Sequence, residues 1–400
     1  MTSGSASHVD SAPDTGAWHA VFGSLDGPPE AWDSLDPAPP LFASRGWLSV
    51  MGHRLEGEHK YFISGQGAAA GVGFLGSIID DPGITMSKNP WELLFQPCAG
   101  LRTMTAESVA SQAAAAALSP RQEWFPALVL TYPGLECFGI GPGASAPDAL
   151  GSAISGVVEA AQDAGVRTVA FLYVQPENQA LSTALRAASF TEFPITQRAN
   201  LHLPGGSFAD YLTALRPHRR HNIRTVRRKL RENGVTIERL PLAEADNDLI
   251  ETLVALRQQH RLKYGKAPSA ESERRLLDAF RLAFGDRVMI FCARVPPRHL
   301  VGFSLVLDAG HVQHGWTCGF DYTDPRSRLT YFELCYQAPI EAAYHSAARE
   351  MSFGYGMETT KLLRGCRLDT VHGYILAVGD KARMALSQRA AAALMPISPA

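Results

Sequence analysis

The sequence predicts an α/β protein of layered α+β type, built from two similar units in tandem. Three observations predict it. Apolar strand-like runs alternate with amphipathic helical stretches over most of the chain. The two halves overlay at a shift of 182 residues, which sets Phe138 on Phe320, Arg167 on Arg349 and Phe171 on Phe353. The length of 400 residues, with 46% apolar composition, suits roughly two or three domains.

The elements follow in order. Residues 1–38 are rich in Ser, Asp, Gly, Ala and Pro and read as a disordered or loosely attached arm. Domains over 39–204 and 205–395 are expected next. In the first, a helix over Ser44–His53 and strands over Lys60–Ser64 and Gly71–Ile79 lead into Asp80–Leu101, a Pro-containing stretch that reads as a long loop. Ala127–Tyr132 is a short buried strand. Ala146–Ala164 is a helix with Leu150, Ile154, Val157, Val158 and Ala161 on one side. Val166–Val174 is a continuous apolar strand, and Asn178–Ala188 a helix. The second half opens with a basic helix over Phe208–Asn233, stopped by Gly234. Helices over Asp246–Tyr264 and Ala270–Phe284 follow, then strands over Arg287–Val295, Leu300–Leu307 and His311–Thr317. A helix over Tyr331–Ala348 and a strand over Glu350–Tyr355 complete the pattern.

The chain is nearly neutral, at formal charge −2 with a pI near 6.7. That excludes a global nucleic-acid-coating role, so any such contact must be local. The six cysteines form no CxxC pair and no zinc-spaced cluster, which fits reduced thiols and no metal. No signal-peptide pattern starts the chain, and the apolar run Ala68–Ile79 is too short and Gly-rich to span a bilayer. A cytoplasmic protein is expected.

Charge concentrates in Arg216–Arg231, where eight Lys/Arg and two His occur in sixteen positions without an acid. Leu212, Leu215, Ile223, Val226 and Leu230 form an apolar stripe, leaving Arg219, Arg220, Arg224, Arg227, Arg228 and Arg231 over the remaining surface. The guanidinium groups suit phosphate; the other reading is a solvated face paired with acids elsewhere. No Phe, Trp or Tyr lies between Tyr211 and Tyr264, so contact with a phosphate backbone is favoured over base stacking.

Three further constellations carry candidate chemistry. Gly139, Gly141 and Gly143 precede a helix N-terminus, where free amides hold a phosphate, or else simply make a turn; Pro142 removes one donor. The corresponding loop of the second half, Asp321–Arg328, has no glycine and offers Arg326 and Arg328. The stretch Phe353–Gly365 sets Lys361 after an apolar strand that ends at Tyr355, with Gly356 next to it. A fixed ammonium there stabilises an oxyanion in acyl transfer, or is a surface cation, or pairs with Glu358. On the strand from His311, alternation puts His311 and Gln313 on one face and His314 on the other, where a His serves as base or as structure. No GxSxG elbow, HEXXH or dinucleotide motif is present.

Arg219-Arg220-His221-Asn222-Ile223-Arg224, with Arg227-Arg228-Lys229-Leu230 and Gly234, resembles the "RRNIRR…RKLE..G" stretch of Fem-like acyltransferases. Gly285-Asp286 through Val301-Gly302 to Tyr322 resembles their following sheet region. Phe353-Gly354-Tyr355-Gly356 with Lys361-Leu362-Leu363-Arg364-Gly365 resembles their terminal "ldfG…..yKr.fG" motif. The likeness covers about residues 205–378 and is weaker over 40–200. It implies two GNAT-fold domains around a central cleft and transfer of an acyl or aminoacyl group to an amine. It also implies aminoacyl-tRNA as co-substrate, with no bound cofactor, and the motif lysine, here Lys361, at the transition state. Two departures stand out: no long coiled-coil arm separates the halves, and the second half lacks a Gly-rich pyrophosphate loop.

The expectation is an aminoacyltransferase moving an amino acid from aminoacyl-tRNA to an amine or hydroxylamine of a small metabolite, as in antibiotic pathways, or of a cell-wall precursor. No covalent enzyme intermediate is needed for it. Lys361 would stabilise the oxyanion, and Tyr355 and Gly356 would shape the carbonyl site. His311 or Gln313 would guide the nucleophile, and Arg219, Arg220, Arg224, Arg227 and Arg228 would meet the tRNA. The alternatives are an acyl-CoA-dependent N-acyltransferase, with Gly139–Gly143 holding CoA, and a non-catalytic GNAT-like protein that binds RNA or another anion.

Overall fold

The computed structural model describes residues 17–23, 28–66, 71–96, 106–266 and 269–394. Its strands, in chain order, are β1 (Ala17–Gly23), β2 (Glu58–Gln66), β3 (Val72–Ile79), β4 (Ala127–Leu130), β5 (Thr168–Val174), β6 (Thr191–His202), β7 (Thr236–Pro241), β8 (Val288–Val295), β9 (His299–Asp308), β10 (Val312–Phe320), β11 (Glu350–Tyr355) and β12 (Arg367–Ala377). The chain divides into two compact units. One holds the chain up to Gln197 together with Thr370 onward, and the other is Arg198–Asp369.

In the first unit β1 to β4 pair antiparallel in sequence, β4 pairs parallel with β5, and β5 pairs antiparallel with β12. In the second, β7 to β10 pair antiparallel, β10 pairs parallel with β11, and β11 pairs antiparallel with the Arg198–His202 end of β6. The plan is the same in both, with the final strand exchanged along the chain. β5 and β11 begin at Thr168 and Glu350, the spacing of the sequence overlay. A parallel pair needs a long crossover, and each unit provides a helical one between the two strands, Pro147–Asp163 in the first and Ser327–Ala343 in the second.

The cores follow from the periodicity. On Pro147–Asp163, Leu150, Ile154, Val157 and Ala161 are buried against Leu128, Val169 and Phe171. In the second unit Ile223 and Leu230 of the basic helix pack with Phe291, Val301, Phe320 and Met351.

Several expectations are corrected. Residues 17–23 of the expected arm form β1, paired with β2, and Glu30–Leu35 is a helix whose Trp32 is fully buried. The Trp32 ring N–H donates to the Ala43 carbonyl at 3.0 Å. Residues 1–16 and 24–27 lie outside the described residues, as do 67–70, 97–105, 267–268 and 395–400. Within the expected loop, Asn89 caps a helix over Pro90–Phe95 by accepting from the Trp91 and Glu92 amides at 3.1 Å each. The basic helix is two helices, Phe208–Ala214 and Pro217–Glu232. Pro217 forces extended backbone at Arg216 and takes the first position of the next helix. The single helix expected over Tyr331–Ala348 starts at Ser327 and carries a π-helical turn at Glu333–Gln337. Residues 370–394, expected in the second domain, belong to the first unit. There β12 completes the sheet, and Arg383 donates to the carbonyls of Glu123 and Arg167 at 2.9 and 3.2 Å.

Candidate active site

β10 and β11 pair only through Val312–His314 and Glu350–Ser352. The register of β10 against β9 then shifts between Gly315 and Thr317, which leaves Trp316 as a bulge. Bulges re-aim side chains and end pairing. Where the pairing stops, a cavity of about 220 Å³ is lined by Trp316, Cys318, Tyr331, Tyr336, Tyr355 and Lys361, among others. The π-helical turn supplies Cys335 and Tyr336 to its wall, a placement that π-turns often serve at functional sites.

Lys361 reaches this cavity from a short helix, Glu358–Leu362. The turn before it has positive φ at Gly354 (+66°), Gly356 (+72°) and Met357 (+55°), a run in which the glycines avoid a steric cost. The Lys361 side chain is buried, and its Nζ donates to the carbonyls of Gly354 and Tyr355 at 3.0 Å each. Burial lowers its pKa to about 8, against an opposing pull from Cys366 and Glu358. The group is therefore mainly an ammonium at neutral pH. Two of its three donors are held by carbonyls, which leaves one for a substrate oxygen.

A second group faces the same cavity. Cys318 Sγ lies 3.7 Å from His260 Nε2, and His260 Nδ1 lies 2.6 Å from the Tyr322 hydroxyl. The hydrogen bond from Cys335 lowers the Cys318 pKa, with further help from His260 and Arg257 against burial. The same sharing raises Cys335.

The other candidate residues divide. Tyr355 lines the cavity, and Gly356 shapes the turn. His311 is exposed at the start of β10, where its carbonyl accepts from the Arg349 and Glu350 amides at 2.8 and 3.2 Å. The Gln313 amide donates to Ser346 Oγ at 3.2 Å. Neither lines the cavity, which forms further along β10. His314 is held neutral, its pKa pushed down to about 4 by burial and then by Arg198.

Of the basic helix, Arg219, Asn222 and Lys229 line a groove of about 360 Å³ with Ile223, Phe332 and Arg364. The Arg364 guanidinium lies 3.9 Å from the Phe332 ring centroid and 4.7 Å from that of Tyr336, a wall of the first cavity. Neither Arg219 Nε nor Arg364 Nε has a hydrogen-bond partner. Arg224 is exposed; Arg220 donates to the Thr213 carbonyl at 2.9 Å, and Arg228 approaches Glu232 at 3.6 Å. Arg227 turns inward instead, to Glu333 at 2.7 Å and Glu341 at 2.8 Å, with its guanidinium 4.6 Å from the Phe208 ring centroid. It is a packing element, not a surface contact. Arg326 is bound to Asp324 of its own loop at 2.6 Å, and Arg328 is exposed.

The Gly139–Gly143 loop is filled. The Ile140 amide donates to the Gly73 carbonyl at 3.0 Å and the Gly143 amide to the Gly71 carbonyl at 3.0 Å. The Ala144 amide is taken by the Gly141 carbonyl at 3.1 Å. The Leu35 side chain covers Gly141, so closely that a Cβ there would lie 2.8 Å from Leu35 Cγ. In the expected phosphate cradle the Ile140, Gly143 and Ala144 amides are thus engaged by backbone carbonyls, and Leu35 occupies the space over Gly141. No group of three or more His, Cys, Asp or Glu able to hold a metal occurs among the described residues. No helix among them is long and apolar enough to cross a membrane.

A sequence model of FemAB-like proteins, described as peptidoglycan biosynthesis/recognition, matches residues 105–389. The chain belongs to the FemAB-like family. Among solved structures, FemX matches at TM-score 0.56 with 11% identity, covering 87% of this chain and 95% of that one. A tandem GNAT protein from the clavulanic acid biosynthesis pathway matches at 0.45 with 10% identity, covering 91% and 100%. L-PGS from Bacillus licheniformis matches at 0.46 with 12% identity, covering 66% and 82%. No curated protein sequence matches. The likeness to FemX shows the fold, two GNAT-like units in tandem, and this FemAB-like protein is a transferase.

In this FemAB-like chain the sequence reading singled out Lys361 but not Cys318, His260, Tyr336 or Arg364. Arg364 sits in the quoted terminal motif and was within reach. The thiol and imidazole are 58 residues apart, on β10 and the helix Asn247–Lys263, and no spacing rule joins them.

Proposed function

We propose that the protein is an aminoacyltransferase that moves an amino acid from aminoacyl-tRNA to an amine or hydroxylamine of a small metabolite or cell-wall precursor. The observation that carries this is Lys361. A buried ammonium, held by two backbone carbonyls on a cavity wall, is costly to keep unless negative charge develops beside it. When a nucleophile attacks the ester carbonyl, that oxygen gains charge, and the Lys361 N–H stabilises it. Collapse expels the ribose hydroxyl oxygen of the tRNA. The protonated lysine is an electrostatic group here and not the base.

The groove of Arg219, Lys229 and Arg364 supports a phosphate-bearing donor, since these cations have no acid among the groove residues except Glu333, which Arg227 holds. The engaged amides of Ile140, Gly143 and Ala144 and the Leu35 side chain over Gly141 weigh against CoA at that loop. In this reading the tRNA meets the exposed side of the basic helix, the work is done in the cytoplasm where charged tRNA is made, and no bound cofactor is required. The family description favours a cell-wall acceptor.

The test is transfer of label from radiolabelled aminoacyl-tRNA pools to a mixture of amine acceptors. Label should leave one tRNA species and should stay there with Lys361→Ala. Full turnover by that variant, or no transfer from any pool, overturns the reading.

A further inference from the structure

Cys318 sits in a setting unlike that of the core thiols. Burial pushes the thiols of Cys137, Cys292 and Cys366 up, the ordinary result for a sulfur packed among apolar groups. Cys318 instead lines the 220 Å³ cavity together with Lys361. Its sulfur is 3.7 Å from His260 Nε2, and the far nitrogen of that ring is fixed at 2.6 Å from the Tyr322 hydroxyl. The His260 and Tyr322 rings lie nearly parallel, at 16°. The Lys263 ammonium sits 4.0 Å from the Tyr322 ring centroid. A nucleophile, a base within reach and a third group that orients the base are the parts of covalent acyl transfer.

We propose that Cys318 is a second catalytic residue, which takes the acyl group from the donor ester as a thioester and passes it to the acceptor amine. The inference rests on the acyl-transfer reading of this cavity. In the first half, the Cys318 sulfur attacks the ester carbonyl carbon. The C–S bond forms, the C–O bond to the ribose breaks, and the departing oxygen takes a proton from protonated His260. In the second half, neutral His260 takes a proton from the attacking amine as the C–N bond forms. The C–S bond breaks, and Cys318 leaves as the thiolate. No oxidant or reductant enters. Lys361 serves the oxyanion of both halves. Cys335 keeps its own proton and donates it toward Cys318, which steadies the thiolate that attacks in the first half and is released in the second.

The experiment uses the full chain with an activated ester, p-nitrophenyl acetate, in the absence of any amine. One equivalent of p-nitrophenolate should appear in a rapid phase. An acetyl adduct should map to the Cys318 peptide by mass and be released by neutral hydroxylamine. Cys318→Ala and Cys318→Ser should lose both signals while keeping the wild-type circular dichroism and melting curve. His260→Gln should slow transfer from aminoacyl-tRNA, whose ribose oxygen needs a proton to depart, by about 10²-fold. A burst that persists in both Cys318 variants overturns the proposal, as does an adduct on another cysteine. If Cys318→Ala transfers from aminoacyl-tRNA at the wild-type rate, the nucleophile fails and the aminoacyltransferase reading stands. If the wild type shows the adduct but transfers from no aminoacyl-tRNA, the nucleophile stands and the donor is wrong.

Discussion

The two units use one strand plan and end it differently. In the first, β4 and β5 pair over all four residues of β4, and the chain beyond keeps returning to the sheet. Cys137 bridges Val174, Ile140 bridges Gly73, and Tyr132 stacks on Phe138 with ring centroids 4.5 Å apart. In the second, β10 and β11 part after three pairs, a bulge turns Trp316 out of register, and a cavity with a buried lysine opens. The difference teaches where the chemistry belongs. A sheet end that satisfies its backbone and fills its space is a stable end. One that leaves strands parted and holds an ammonium away from water accepts a cost, and such costs collect at functional sites.

The largest expected effect breaks the open end. Lys361→Ala should lower kcat by about 10²–10³-fold, the usual loss when one oxyanion donor is removed. Lys361→Met should melt no lower than the wild type, because the fold disfavours the buried charge that the methionine removes. A melting curve that falls steeply with Met would make the lysine a structural element and erase the contrast between the two ends.

Arg227 comes next. Removing it leaves Glu333 buried without its partner, and Arg227→Met should cost about 3 kcal/mol in urea unfolding. Adding Glu333→Gln should recover part of that loss. Donor affinity of the folded fraction should be unchanged, whereas Arg219→Ala, in the groove, should weaken it. The opposite result would restore Arg227 to the tRNA-facing surface.

At the filled end, Gly141→Ala should cost about 1–3 kcal/mol. The backbone there has φ of +96°, and the added Cβ would lie 2.6 Å from the Gly71 carbonyl oxygen. Turnover per folded molecule should not change. A variant that loses catalysis while keeping its stability would give the first unit a chemical role.

These contrasts mark what the sequence could show. Strands and helices with local period were legible, such as Pro147–Asp163 and Glu350–Tyr355, because burial of one face sets the spacing. The exchange of β6 and β12 was not, since strand partners are chosen by long-range packing. The Ala17–Gly23 strand was hidden by its low-complexity surroundings. In the site, Lys361 was legible through a motif. The neighbourhood of Cys318 was not, since it depends on a bulge in β10 and a π-turn in the crossover helix. The filling of Gly139–Gly143 was equally hidden, because Leu35 covers it from more than a hundred positions away.

The last prediction sets activity against stability at one residue. Oxyanion stabilisation needs the protonated lysine, which is present below the folded pKa of about 8 and lost above it. The rate should therefore fall as pH rises through about 8, and Glu358→Gln should move that midpoint down by removing an acid that favours the charge. Stability should run the other way. The unfolded lysine, at its ordinary 10.5, still binds its proton between about 8 and 10.5 while the folded one has released it. Over that window the unfolded state binds more protons, so this residue makes folding more favourable as pH rises. Below the window both forms are protonated and the full burial cost applies. Lys361→Met removes both trends, so the difference between wild type and variant in melting temperature should narrow from pH 7 to pH 10. A difference that stays constant would mean that the ammonium is not desolvated, and the open end would lose the physical basis of its assignment.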